Sequence, residues 1–113
     1  MDYIGNNKAA WEEAFDHKQD GWGEENYKRL LNEDLPFFCK DMAAELRSMD
    51  FKGKSAAQFC CNNGRELLSL MQLGAESGTG FDIAENIIAQ ASETAEKMCI
   101  RDRCTCNQKR GAR

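Results

Sequence analysis

The sequence predicts an α/β fold, a helical N-terminal region followed by the start of a doubly wound parallel sheet, and three observations carry that prediction. Before Lys54 the apolar residues recur at helical spacing, and no run alternates as a strand would. From Ser55 onward the order is short apolar run, turn, helical stretch, short run, helical stretch, which is a βαβ unit with a second crossover helix begun. Gly64 stands at the first strand-to-helix turn and Asp82 at the end of the second strand, where such units receive ligands.

The elements follow in order. Asn6 or Asn7 can cap a first helix running to about Lys18, with Trp11, Ala14 and Phe15 on one face. Gly21 and Gly23, flanking Trp22, end it, and a short helix from Glu24 to about Asn32 places Tyr27, Leu30 and Leu31 together. Asp34 followed by Pro36 reads as the next helix start, with Phe38, Met42, Leu46 and Met49 as its apolar stripe. Trp11, Phe15, Phe38 and Met42 are therefore expected in the core. The run Ala56 to Cys61 suits a buried strand. Asn62-Asn63-Gly64 is a turn, and Arg65 opens a helix with Leu67, Leu68, Met71 and Gln72 in period and Gly74 at its end. Ser77 to Ile83 is the second strand, and Glu85 to about Lys97 is helical with Ile87, Ile88, Ala91 and Ala95 inward.

The 113 residues carry a net charge of −4, which averages two unlike parts. Through Lys97, ten Lys and Arg face eighteen Asp and Glu, a net −8; after it five face one, a net +4. The acidic body argues against nucleic-acid binding, which leans on basic surface. The N-terminus has no basic and apolar leader, and no stretch approaches the roughly 18 apolar residues of a membrane helix, so a cytoplasmic location with reduced thiols is expected. Cys39, Cys60 and Cys61 lack the spacing of zinc ligands and His17 stands alone, so no metal site is expected.

Residues 98–113 read differently, with no apolar period. Met98-Cys99-Ile100-Arg101-Asp102-Arg103 matches the translation of ATG-TGT-ATA-AGA-GAC-AG plus one purine, the end of a transposon-based sequencing adapter. The expected division is a helical cap over 1–54, the start of a ligand-binding domain over 55–97, and a non-native tail over 98–113. Genomic DNA with other codons at Met98 to Arg103 would refute the adapter origin. A zinc or nucleic-acid module using Cys104, Cys106 and the basic tail would rest wholly on these residues.

The ligand site follows from the order of elements. Free N–H groups at a helix N-terminus face the first turn, and Asp82, eighteen residues after Gly64, is placed to accept hydrogen bonds from ribose hydroxyls. A dinucleotide site needs glycines so that backbone can approach a pyrophosphate, whereas Cys60 and Asn62 put side chains there. A phosphate-free adenosyl ligand tolerates them better.

The stretch Gln58-Phe59-Cys60-Cys61-Asn62-Asn63-Gly64-Arg65-Glu66-Leu67, continued by Gly74-Ala75 and Gly80-Phe81-Asp82-Ile83-Ala84, resembles class I S-adenosylmethionine-dependent methyltransferases, strongly from Ser55 and loosely before it. Gly64 matches the last glycine of that family's first motif. Cys60 and Asn62 stand where glycines are usual, and Gln58 where an acid is usual. The resemblance implies a Rossmann-like sheet, S-adenosyl-L-methionine as cofactor held by Phe59, Cys60, Cys61, Asn62, Gly64, Asp82 and Ile83, and methyl transfer to a small-molecule acceptor. Within it Asp82 matches the acid that binds ribose and Ile83 the residue that packs on adenine; Trp22 and Tyr27, beside the Gly-flanked break, are candidates for a lid over the cofactor, with surface or packing roles as the alternative. It names no catalytic base. A doubly wound sheet at about 30 residues per βα unit needs about 150 to 200 residues. The chain is accordingly expected to hold two strands of a truncated domain, with open edges, marginal stability and no turnover. A dinucleotide-binding oxidoreductase fragment and a non-enzymatic helical interaction domain are the alternatives.

Overall fold

The computed structural model describes residues 2–19 and 21–108. It contains α1 (Tyr3–Asp16), α2 (Asn26–Asn32), α3 (Lys40–Ser48), β1 (Ser55–Phe59), α4 (Arg65–Gln72), β2 (Ser77–Asp82), α5 (Glu85–Lys97) and β3 (Cys104–Gln108). The strands form one parallel sheet in the order β1-β2-β3, with Ser55 opposite Ser77 and Phe59 opposite Phe81, then Gly78 opposite Cys104 and Asp82 opposite Gln108. The α/β class and the βαβα order agree with the sequence expectation.

Packing is organised by the glycines of β2. Side chains alternate across a strand, so Gly78 and Gly80 face the same side. A Cβ on Gly78 would lie 2.9 Å from Met71 Sδ, and one on Gly80 2.8 Å from Cys61 Sγ and 3.1 Å from Leu67 Cδ2. These bare positions let α4 settle directly on the sheet. Its apolar face joins α5 in a core of Leu30, Leu67, Leu68, Met71, Ala75, Ala95, Met98, Ile100 and Cys104. On the other side of the sheet Phe59 and Phe81 stack at 5.3 Å, and Phe59 is 71% exposed. A second, smaller cluster of Phe15, Ala84 and Ile87 joins α1 to the start of α5.

Two strands are expected, and three are present among the described residues. Helix α5 ends at Lys97, as its period predicts, and closes in a Schellman turn: the Cys99 N–H donates to the Glu96 carbonyl (3.0 Å) and the Ile100 N–H to the Ala95 carbonyl (3.0 Å), with Cys99 at φ +60°. The Gly78 N–H then donates to the Arg103 carbonyl (2.8 Å) and starts the pairing of β3. The stretch 98–113 shows no apolar period in the sequence, yet within its described part Met98, Ile100 and Cys104 are buried. The reason is geometric. One comes from a helix end, one from a turn and one from a strand start, so their spacing fits neither 3.6 nor 2. The strand itself is held by backbone pairing, which needs no side-chain pattern.

Docking of β3 has a direct test. Cys39, Cys60 and Cys99 are exposed, whereas Cys61 and Cys104 are buried. Iodoacetamide on the native chain is expected to label the first three at least about ten times faster than the buried pair, read by peptide mass spectrometry. Equal rates at Cys99 and Cys104 would show that β3 does not dock.

The helical region departs from expectation in its boundaries and its stripe. Asp2 caps α1, its Oδ1 accepting the Gly5 N–H at 2.8 Å, ahead of the expected Asn6 or Asn7. Leu35 is buried at φ +48°, turning the chain so that α3 begins at Lys40 with Cys39 as its cap. Phe38 therefore precedes the helix and is half-buried. Ala43 faces inward, and Met42 and Met49 are exposed. Trp11 is also exposed, leaving Phe15 as the buried aromatic of α1.

Candidate functional site

The site lies where β1 and β2 end. The β1–α4 loop is tied to β2 by two backbone donors: the Cys61 N–H reaches the Phe81 carbonyl (2.9 Å), and the Asn62 N–H reaches Asp82 Oδ2 (2.8 Å). Within the loop Asn62 Oδ1 accepts the Asn63 N–H (2.7 Å), and the Gly64 N–H donates to the Cys61 carbonyl (2.9 Å). Cys60, Asn62 and Gly64 all have positive φ, at +55°, +53° and +78°. Asn tolerates the left-handed region and Gly is free in it, but a Cys there carries strain of about 1 kcal/mol. Cys60→Gly is accordingly expected to raise stability by about 0.5–1 kcal/mol in urea unfolding; a loss of stability would contradict this reading of the loop. Gly64 has a second constraint, because its Cβ would meet Ala91 Cβ at 3.1 Å where α4 approaches α5.

Asp82 holds the loop and the start of α5 together. Its Oδ2 accepts from Asn62 and its Oδ1 from the Ala84 N–H at 3.1 Å. A carboxylate has about four acceptor directions, so capacity for further donors remains on the same group. Ile83 follows, half-buried. Helix α1 completes this corner: Glu12 Oε2 accepts the Glu85 N–H (3.1 Å), and Asn86 Nδ2 donates to the Glu12 carbonyl and to Asp16 Oδ1, both at 2.9 Å. A carboxylate at a helix N-terminus is favoured by the dipole. No sequence period marks Glu12 for this, since its partner lies 73 residues away.

The residues expected around the ligand separate into two groups. Cys60, Cys61, Asn62 and Gly64 lie in the loop itself and Asp82 is bonded to it, with Phe59 just before the loop and its ring against Phe81; Ile83 is placed beside Asp82 by sequence. Gln58 also reaches the loop side: its Nε2 donates to Glu66 Oε1 at 3.5 Å, and its Oε1 is buried without a hydrogen-bond partner among the described residues. That orphan acceptor suits a ligand ammonium or hydroxyl. Arg65 turns away, its Nε on Glu66 Oε2 at 2.6 Å. The two residues expected in a lid lie apart. The Trp22 carbonyl accepts from Gln90 Nε2 (2.8 Å) near the loop, whereas Tyr27 packs on the main core with Lys97 Nζ 4.8 Å from its ring, at the far end of α5.

Cys61, at the loop, meets Cys106 of β3. The contact with Cys106 and then burial push the Cys61 and Cys104 thiols up, and the hydrogen bonds from Cys104 and Cys61 hold the Cys106 thiol low. Cys61 is thus a fully buried thiol whose raised pKa makes it a poor nucleophile. Among the described residues no group of three His, Cys, Asp or Glu is arranged to hold a metal, and no helix is long and apolar enough to cross a membrane.

No protein-family model and no curated protein matches the chain. Solved structures do. Geranyl diphosphate C-methyltransferase from Streptomyces coelicolor, in complex with Mg2+, geranyl diphosphate and S-adenosyl-L-homocysteine, superposes with TM-score 0.64 and 11% identity over 96% of this chain and 48% of its own. The S-adenosylmethionine-dependent methyltransferases from Thiobacillus denitrificans and Geobacter sulfurreducens, each with S-adenosyl-L-homocysteine, give TM-scores of 0.56 and 0.54 at 16% and 18% identity, over 75% and 77% of this chain and 35% of theirs. The fold is therefore the opening part of the Rossmann-like fold of these methyltransferases. The chain spans about a third to a half of their length.

Proposed function

We propose that the chain is the S-adenosylmethionine-binding opening of a methyltransferase that acts on a small-molecule acceptor. The observation that carries this reading is the junction of Asn62 and Asp82, which brings a loop with three left-handed residues against an acid at the end of β2. In this reading Asp82 accepts the ribose hydroxyls, Ile83 packs on the adenine, the loop backbone faces the amino-acid part, and Gln58 Oε1 accepts from its ammonium. The side chains of Cys60 and Asn62 occupy space that a pyrophosphate would need, which favours the phosphate-free ligand over a dinucleotide.

S-adenosylmethionine supplies an electrophilic methyl group on a sulfonium, open to in-line displacement by a nucleophile. The chain's own contribution is to orient: two strand ends and two helix N-termini fix the adenosyl part, and the packed loop keeps water from it. Free cysteines and an acidic body fit a cytoplasmic enzyme with no nucleic-acid substrate.

Isothermal titration of the 113-residue chain with S-adenosylmethionine, S-adenosyl-L-homocysteine and NAD tests the proposal. Saturable binding of the first two and none of the third is expected. Preference for NAD, or binding of none, overturns it.

A further inference from the structure

We infer that Gln90 and Asn63 form a latch fastening the Trp22–Gly23 turn onto the adenosyl-binding loop, which makes Gln90 a positioning residue for the ligand held there; the ligand part rests on the proposed function. Gln90 sits in the inward stripe of α5 with Ile87, Ala91 and Thr94 and is only 6% exposed. A buried amide in such a stripe costs stability unless both its ends are engaged. Both are. Its Nε2 donates to the Trp22 carbonyl at 2.8 Å, and its Oε1 accepts from Asn63 Nδ2 at 3.2 Å. Asn63, itself 7% exposed, is the neighbour of Asn62, whose N–H is on Asp82. The turn that carries Trp22 is thus two side-chain amides away from the loop.

Gly23 shows that the fit is close. Its φ is +85°, and a Cβ there would lie 2.6 Å from both Asn63 Nδ2 and Gln90 Oε1. Any side chain would push the turn off the amide pair. The latch therefore requires a glycine at 23, an amide at 90 and an amide at 63, which span three separate segments. It holds the N-terminal segment at the edge of the loop, so that displacing the turn frees Asn63 and loosens the loop that Asn62 and Asp82 organise.

The test uses the full chain with Trp11→Phe, which leaves Trp22 as its one tryptophan. Gln90→Met removes both amide contacts at constant length, and Gly23→Ala lifts the turn without substituting any residue of α5 or of the loop. Two readouts are compared: the rate of chymotryptic cleavage after Trp22, with cleavage after Phe81 as the control for global unfolding, and the Kd for S-adenosyl-L-homocysteine by calorimetry. Both variants are expected to be cut after Trp22 about 10-fold faster, with Phe81 unchanged, and to bind about 5- to 10-fold more weakly. Wild-type cleavage in both variants overturns the latch, and this holds whether or not the ligand binds. Faster cleavage with unchanged affinity overturns the positioning role. If the unmutated chain does not bind the ligand, the failure is that of the proposed function, and the positioning role falls with it while cleavage alone decides the latch.

Discussion

Asp82→Ala is expected to weaken S-adenosylmethionine binding by about 100-fold. Each hydrogen bond from a ribose hydroxyl to a charged carboxylate is worth about 1.5–3 kcal/mol, and two of them near the lower bound correspond to that factor. The substitution also removes the acceptor of the Asn62 and Ala84 N–H groups, so the loop and the start of α5 lose their common tether. Asp82→Asn separates these effects. It keeps one oxygen for a backbone donor and loses the charge, and an affinity between those of the wild type and Asp82→Ala is expected. Calorimetry gives the affinities, and a circular-dichroism melt of the unliganded variants gives the structural part. Binding by Asp82→Ala within twofold of wild type would remove Asp82 from the site.

Leu67→Ala has the largest expected effect on stability, a loss of about 3–5 kcal/mol. Leu67 is fully buried and lies over Gly78 and Gly80. Those two positions have no side chains that could move into the space left by the removed atoms, so the cavity persists and the cost sits in the upper part of the usual range. Because small domains are stable by only about 5–15 kcal/mol, the variant is expected to be largely unfolded at low urea. Met42→Ala, at an exposed position of α3, is the contrast and is expected to change stability by less than about 0.5 kcal/mol. Similar midpoints for the two variants would place the core elsewhere.

What could be read in the sequence depended on whether a residue's role is local. Helix α4 was legible because Leu67, Leu68 and Met71 keep its period and Gly74 marks its end, and the structure indeed turns there at φ +104°. The end of α5 at Lys97 was legible for the same reason. Positions 60, 62 and 64 were read as glycine positions of a ligand loop, and all three have positive φ. What was not legible depends on distant partners. The Gln90–Asn63 pair is separated by 27 residues, Gln90 and Trp22 by 68, and Glu12 and the α5 N-terminus by 73. The apolar stripe assigned to α3 was misread because the turn at Leu35 moves the helix start past Phe38. Strand β3 was missed because its register is set by β2's backbone, and a backbone leaves no trace in composition.

The division of the apolar interior into two clusters has a kinetic meaning. The strand pairings join residues 22 and 26 apart, within short loops, whereas the bonds from α1 to α5 close loops of 73 and 74 residues onto the small Phe15–Ala84–Ile87 cluster. Long loops are the slowest to close, and a contact that shares no core with the rest can reopen by itself. Helix α1 is therefore expected to behave as a separate cooperative unit. It is expected to form after the βαβαβ layer and to exchange its amide hydrogens before that layer does, so that the corner beside Asp82 opens while the sheet stays folded, an order that native-state hydrogen exchange reads.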